Sequence, residues 1–271
     1  MKGLLGAIRT KRGTAVALAA AFLVFALVFW AWAWASGGGD RRTEDEANMP
    51  RDYEYGTATA PGGMVLHFLR TRPGNVLPEE IGSNVVVSPY YGINGGFFYE
   101  SSLLSLAVVN DRPVGGEPGA YGSGGENVKY ARGTLVWDGA TDRLGVQVVR
   151  QASELQVTDR GRYWAQGGIS MSLGRDDVWA EQAALENAPY PDEDRLRSAA
   201  VYDRDGNLYL VVSSSKGTLA AFREAILACI GNGGLADGIF LDGDGSSQLR
   251  SRERRLSGDN RPVLQMLRIV R

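Results

Sequence analysis

The sequence predicts an α+β fold: a single, predominantly β domain with a few packed helices, preceded by one N-terminal transmembrane helix. Three observations carry this expectation. From residue 56 onward, short apolar runs of strand length alternate with turn residues, in a chain that holds 36 glycines. Residues 218–230 have the apolar spacing of a helix instead. Residues 14–35 form 22 consecutive positions without a charge.

Taken in order, residues 1–13 are a basic segment with Lys2, Arg9, Lys11 and Arg12. The apolar segment 14–35 follows; as a helix it would span roughly 33 Å, enough for a hydrocarbon core of about 30 Å. Beyond it, Arg41 and Arg42 precede Glu44, Asp45 and Glu46. This asymmetry predicts a single-pass membrane protein with a cytoplasmic N-terminus and an extracytoplasmic main domain. Ala33-Trp34-Ala35 before Ser36 also has the small-x-small form of a cleavage site, so secretion after cleavage near Ala35 is the alternative to a retained signal-anchor. Residues 36–55, Gly-rich and then charged, read as a flexible tether, which leaves 56–271 as the folded domain.

Within that domain the candidate strands are 64–70, 84–88, 103–109, 133–137, 144–150, 197–202, 208–213, 238–241 and 263–270. Asp203-Arg204-Asp205-Gly206-Asn207 has the chemistry of a hairpin joining two of them. Residues 112–127 read as a long loop, and 178–186 as a short helix. Thr218 suits an N-cap, with Leu219, Phe222, Ile226, Leu227 and Ile230 on one face of the helix that follows. Gly231, Gly233 and Gly234 end it, and the apolar run after them reads as a strand buried on both faces.

Composition narrows the function. With 29 basic and 31 acidic residues the net charge is −2, which gives no reason to expect a nucleic-acid partner. Cys229 is the only cysteine, so no internal disulfide forms, and His67 is the only histidine. That pair argues against zinc sites of the usual kind. Any Ser-His-Asp or Cys-His catalysis would have to pass through His67, which lies in a strand-like stretch.

Two clusters place polar groups where a strand ends and the chain turns. In Ile93-Asn94-Gly95-Gly96-Phe97-Phe98 the two glycines let the backbone approach a ligand or another strand, and Asn94 supplies donor and acceptor. In Leu241-Asp242-Gly243-Asp244-Gly245-Ser246-Ser247 an apolar strand runs into a carboxylate, an open turn and two hydroxyls. Successive N–H groups there can form a nest for phosphate or another anion. Asp242, Asp244, Ser246 and Glu253 share the spacing of a calcium loop. Ser247 stands where that loop needs Gly, however, and a strand rather than a helix precedes it.

These two clusters resemble the hallmark motifs of the phosphodiester glycosidase family, which removes a terminal N-acetylglucosamine from a phosphodiester. The similarity extends to Arg197-Ser198-Ala199-Ala200-Val201, the Asp205-Gly206-Asn207 turn, Thr218-Leu219 with its helix, and Arg261-Pro262. It covers roughly 56–271. Three positions depart from the family: Asp244 stands where Gly is usual, Gly167-Gly168-Ile169 lacks a proline, and Gln248 stands where Thr is common.

The resemblance implies an extracytoplasmic hydrolase that cleaves a sugar-1-phosphodiester in envelope glycans or lipid-linked sugars. Asp242 would serve as general base or cation ligand with Asp244 as partner, and Asn94 would orient sugar or water. Arg197, whose fork matches phosphate oxygens, would hold the phosphate with the backbone of Gly243 and Gly245 and the hydroxyls of Ser246 and Ser247. Gly95 and Gly96 would allow close approach. No cofactor is identified; a divalent cation is left open, its ligands unknown. The expected partners are a phosphate-containing glycan or glycolipid, and the membrane through the N-terminal helix. The alternative is a non-catalytic module binding anionic, phosphate-bearing envelope glycans.

Overall fold

The computed structural model describes residues 49–50 and 52–271. The basic segment, the 14–35 span and most of the tether lie outside them. Among the described residues no helix is long and apolar enough to cross a membrane.

The described chain is predominantly β, with two α-helices. It opens with the hairpin β1 (Tyr53–Thr59) and β2 (Val65–Thr71), so the first strand begins inside the stretch read as tether. Next come β3 (Val76–Ser83), β4 (Gly92–Asn94), β5 (Phe98–Tyr99), β6 (Ser102–Leu103), β7 (Ala107–Val109) and β8 (Arg112–Pro113). The middle of the chain forms β9 (Arg132–Asp138), β10 (Arg143–Val149), β11 (Tyr163–Gly167), β12 (Ile169–Ser170) and helix α1 (Trp179–Leu185). The last third adds β13 (Ser198–Asp203), β14 (Leu208–Ser213), helix α2 (Leu219–Cys229) and β15 (Leu235–Phe240). Three more strands, β16 (Leu249–Arg250), β17 (Arg255–Leu256) and β18 (Val263–Ile269), close it.

The strands form one six-stranded sheet, β1-β2-β14-β13-β15-β12, two five-stranded sheets, β10-β9-β11-β7-β8 and β17-β16-β4-β18-β3, and the two-stranded β5-β6. Every pairing within them is antiparallel. The six-stranded sheet is apolar on both faces. Ala199, Val201, Tyr209, Val211 and Phe240 join Phe222 and Ile226 of α2 in one core cluster. Their neighbours Ala200, Leu208, Leu210, Val212 and Ile239 pack instead with Leu135, Trp164, Ile93 and Leu267 of the two five-stranded sheets. This period-two alternation between two apolar environments explains why the strand ending at Phe240 shows no polar face.

Local chemistry fixes the ends. Thr218 Oγ1 accepts the N–H of Ala221 at 3.1 Å and caps α2. Asp203 Oδ1 accepts the N–H groups of Asp205 and Asn207 at 3.0 and 2.8 Å, tying the hairpin between β13 and β14.

The segment 84–88 is a turn, not the strand its three valines suggest. Asn84 Oδ1 accepts from the N–H of Val86, its carbonyl accepts from Val87 and Ser88, and Val85 N–H donates to Gln248 Oε1 at 2.9 Å. These bonds withdraw the segment from any ladder, and the strand lies just before it, at β3. That strand reads poorly because it carries Pro78 and Gly82, which an edge position tolerates. The adjacent β11 is buried at every position and so shows no alternation.

Candidate active site

Antiparallel register brings two distant parts of the sequence together at one end of the six-stranded sheet. Ala199 of β13 pairs with Phe240 of β15, Leu241 N–H donates to Ser198 O at 2.8 Å, and Asp244 N–H donates to Leu196 O at 2.7 Å. The start of β13 therefore lies against the end of β15, and Arg195 and Arg197 meet Asp242 and Asp244. Arg195 and Arg197, two positions apart on extended chain, send their side chains to the same side.

At this junction opens a cavity of about 460 Å³. Its apolar wall includes Phe97, Ile169, Leu219 and Phe240, and its polar wall includes Asp242, Asp244 and four arginines, Arg132, Arg195, Arg197 and Arg261. Two of those arginines are neutralised. Arg195 pairs with Asp244 at 2.6 Å and with Glu193 at 2.7 Å, and Arg261 pairs with Asp259 at 2.5 Å.

The other two make no ion pair among the described residues; backbone carbonyls hold them. Arg197 donates from Nε to Gly217 O at 3.1 Å and from Nη2 to the carbonyls of Tyr190 and Glu193, both at 2.7 Å. Its Nη1 makes no hydrogen bond among the described residues. Arg132 donates from Nε to Glu186 O at 3.1 Å and packs between the rings of Phe97 and Tyr130. Burial pulls both guanidinium groups below the ordinary arginine value. A buried cation with carbonyl partners keeps its full charge, and an anion placed beside it relieves the cost of that burial.

Asp242 lines the same cavity. Burial pushes its carboxyl up to about 6, against the opposing pull of the Ser246 hydroxyl, the Gly243 N–H and the positive charge of Arg261. The carboxyl thus changes charge close to neutral pH, which is where an acid–base group works best.

The structure places the remaining sequence-predicted residues as follows. Asp244 lines the cavity, but its carboxylate holds Arg195. Its backbone is left-handed at φ 55°, a conformation that accounts for the glycine usual at this position. Asn94 is off the cavity lining and fully buried. Its Nδ2 donates to Asp242 O at 2.8 Å and Gly95 O at 3.2 Å, and its Oδ1 accepts from Ser198 Oγ at 2.8 Å and Gln248 N–H at 3.1 Å. It is a strut beneath the Asp242 turn rather than a group that orients sugar or water.

Gly95 and Gly96 also serve packing. A Cβ on Gly95 would fall 1.7 Å from Gln265 Oε1, and one on Gly96 would fall 2.5 Å from Ser105 Cβ. The close approach is to neighbouring strands.

The expected phosphate nest does not form. Gly243 N–H donates to Asp242 Oδ1, Asp244 N–H to Leu196 O, Ser246 N–H to Gly243 O and Ser247 N–H to Asp244 O. Gly245 approaches Asp259, and Ser247 Oγ is buried without a hydrogen-bond partner among the described residues. Of this turn only Asp242, Gly243 and Asp244 line the cavity. The calcium-loop spacing likewise assembles no ligand set: among the described residues no three of His, Cys, Asp or Glu come together as a metal site.

His67 lies elsewhere, between Tyr55 OH at 2.8 Å and Ser214 Oγ at 3.0 Å. Sequence reasoning missed Arg132 and Arg195. Arg195 was within reach of the rule that alternate residues share a side; Arg132 carries no local signal.

No protein-family model matches the chain, and no curated protein matches it. Among solved structures it is similar to the zebrafish N-acetylglucosamine-1-phosphodiester α-N-acetylglucosaminidase catalytic domain, described as auto-inhibited by its pro-peptide. The TM-score is 0.57 at 15% identity, covering 83% of this chain and 86% of that one. A hypothetical protein from Synechocystis matches at TM-score 0.42 and 13% identity, over 80% of this chain and 61% of that one. A putative exported protein from Burkholderia pseudomallei matches at TM-score 0.36 and 14% identity, over 82% and 58%. The first similarity shows a phosphodiester-glycosidase-like fold; the other two carry no argument.

Proposed function

We propose that this chain is a member of the phosphodiester glycosidase family and acts as an extracytoplasmic, membrane-anchored hydrolase. Its substrate would be a sugar-1-phosphodiester of envelope glycans or lipid-linked sugars. One observation carries the reading: Asp242, its carboxyl raised to about 6, shares a cavity with two buried arginines that make no ion pair among the described residues. The fold similarity supports the reaction class, and the 14–35 segment supports the location.

In this reading the phosphate lies against Arg197 Nη1, which makes no hydrogen bond among the described residues, and the guanidinium of Arg132, and the sugar ring lies on the apolar wall. Ionised Asp242 takes a proton from water as the water oxygen bonds to the anomeric carbon. The bond from that carbon to the phosphate oxygen breaks, and its electron pair leaves with the phosphate monoester. Arg132 and Arg197 stabilise the charge that develops on that leaving group. A phosphate monoester is a good leaving group, so a second carboxylate is not needed. Asp244 accordingly positions Arg195, and Asn94 holds the turn that carries Asp242. The same arginines would also hold an anionic glycan without cleaving it, which is the alternative reading.

Turnover separates the two. The full-length chain in detergent should release N-acetylglucosamine from methyl N-acetyl-α-glucosaminyl phosphate, and Asp242→Asn should lower kcat by about 100-fold or more. Binding with no release by the parent chain, or undiminished release by the variant, would sink the catalytic assignment.

A further inference from the structure

We propose that the β16–β17 hairpin is a docking surface for the phosphate headgroups of an anionic lipid bilayer. Its access to a bilayer rests on the membrane-anchored reading above; the surface itself rests on the residues of the hairpin.

The turn joining the two strands is Ser251-Arg252-Glu253-Arg254, and Arg255 opens β17. Ser251 N–H donates to Arg254 O at 2.8 Å, and Ser251 Oγ accepts the N–H groups of Glu253 and Arg254 at 3.1 and 3.0 Å. These bonds close the turn on itself, so its side chains project from a fixed base. Arg252, Arg254 and Arg255 are all exposed. Arg252 and Arg254 make no ion pair among the described residues. The acid between them is occupied: Glu253 Oε2 accepts from Tyr53 OH at 3.1 Å. Three positive charges and one negative thus share one turn of a chain whose net charge is −2.

The hairpin is tied to the first strand of the domain. Tyr53 opens β1, and its hydroxyl accepts Arg252 N–H at 2.9 Å while donating to Glu253. Its ring meets Tyr91 edge-on at 5.7 Å. Arg254 acts electrostatically on Tyr55 of β1 and His67 of β2, which places the turn beside that hairpin too. The acids of this end are Glu54, which pairs with Arg70 at 3.1 Å, and Asp52, whose N–H donates to Arg271 O at 2.9 Å. In sequence, residues 36–52 lead from the apolar segment 14–35 to β1. The arginines therefore stand at the end of the domain to which that segment is joined.

The chemistry of the turn selects the occupant. A guanidinium fork matches phosphate oxygens, and exposed arginines on a turn suit a charged surface. Each basic side chain close to an anionic bilayer strengthens attachment about fivefold. Docking also bears on the cavity. Arg261, which lines it, follows Leu256 by five residues, at most about 17 Å of extended chain.

The test uses the full-length chain in nanodiscs of phosphatidylcholine alone or of phosphatidylcholine and phosphatidylglycerol in equal parts. Amide hydrogen exchange is followed in the peptide 250–256. Exchange there should slow about tenfold or more in the phosphatidylglycerol discs, and 0.5 M NaCl should abolish the slowing. The double variant Arg252→Ser, Arg254→Ser should lose it, whereas Arg143→Ser, which removes an exposed arginine of β10, should keep it. Equal exchange in the two discs overturns the proposal. Slowing that survives both salt and the double substitution also overturns it. So does slowing by soluble poly(glycerol phosphate) with none by the lipid, which assigns the turn to an envelope polymer. If the chain does not enter the discs, the anchored reading fails separately. The hairpin is then read from sedimentation with phosphatidylglycerol vesicles: binding by the parent about tenfold or more tighter than by the double variant supports it, and equal or absent binding overturns it.

Discussion

Asp242 joins the chemistry of the cavity to the stability of the fold. Its carboxyl lies at about 6 in the folded chain against an ordinary 3.8, because burial disfavours the charged form. Between those two pH values the folded state holds the proton more tightly than the unfolded state, so stability falls as pH rises through this window and stays lowered above it. Asp242→Asn removes the charge and keeps the shape. It should raise stability at pH 7.5 by about 1–3 kcal/mol and give no gain at pH 3.5. Denaturant midpoints at the two pH values check this, and a loss at pH 7.5 would count against the assigned burial. Asp242 was legible in the sequence because it ends an apolar strand and opens a turn. The role of Asp244 was not, because its meaning depends on Arg195, a partner that only the register of β13 against β15 supplies. Arg132 was illegible for the same reason, reaching the site through the carbonyl of Glu186.

At the scale of elements, the Asn-Gly-Gly motif is a joint between sheets. Gly95 N–H donates to Gln265 O and Gly96 N–H to Gln265 Oε1, while Gln265 Nε2 donates to Gln166 Oε1 at 2.6 Å. Gln265 belongs to β18 and Gln166 to β11, so one buried amide chain links the two five-stranded sheets through the glycines. Gly96→Ala would press a methyl group into Ser105 and the Gly167 carbonyl. It should cost about 1–3 kcal/mol of stability, read from the midpoint of chemical denaturation; an unchanged midpoint would mean that the joint yields freely. Most strands with clean alternation or a marked turn were legible: β2, β9, β10, β13, β14 and β18 fall where the pattern put them, and both helices do as well, whereas β15 begins three residues before 238 and the run 103–109 splits into β6 and β7. Three of the strands that were missed have separate causes. β1 was hidden by the charged stretch before it, β3 by its proline and glycine, and β11 by burial on every side.

At the scale of the whole molecule, the 14–35 segment and the cavity together define the proposal: a hydrolase held at a membrane, acting on what that membrane carries. β1 begins at Tyr53, inside the stretch the sequence reads as tether. Expressed in a bacterium, the full-length chain should sediment with membranes and come off with detergent but not with high salt. A soluble product beginning near Ser36 would show cleavage instead. The central claim is that Asp242 acts as a base in a cavity with two buried arginines held by backbone carbonyls. The pH dependence of kcat/KM on methyl N-acetyl-α-glucosaminyl phosphate tests it most directly. Activity should climb with pH through a limb centred near pH 6, and that limb should vanish in Asp242→Asn along with most of the turnover. Activity that falls through pH 6, or a limb that survives the substitution, would contradict the account.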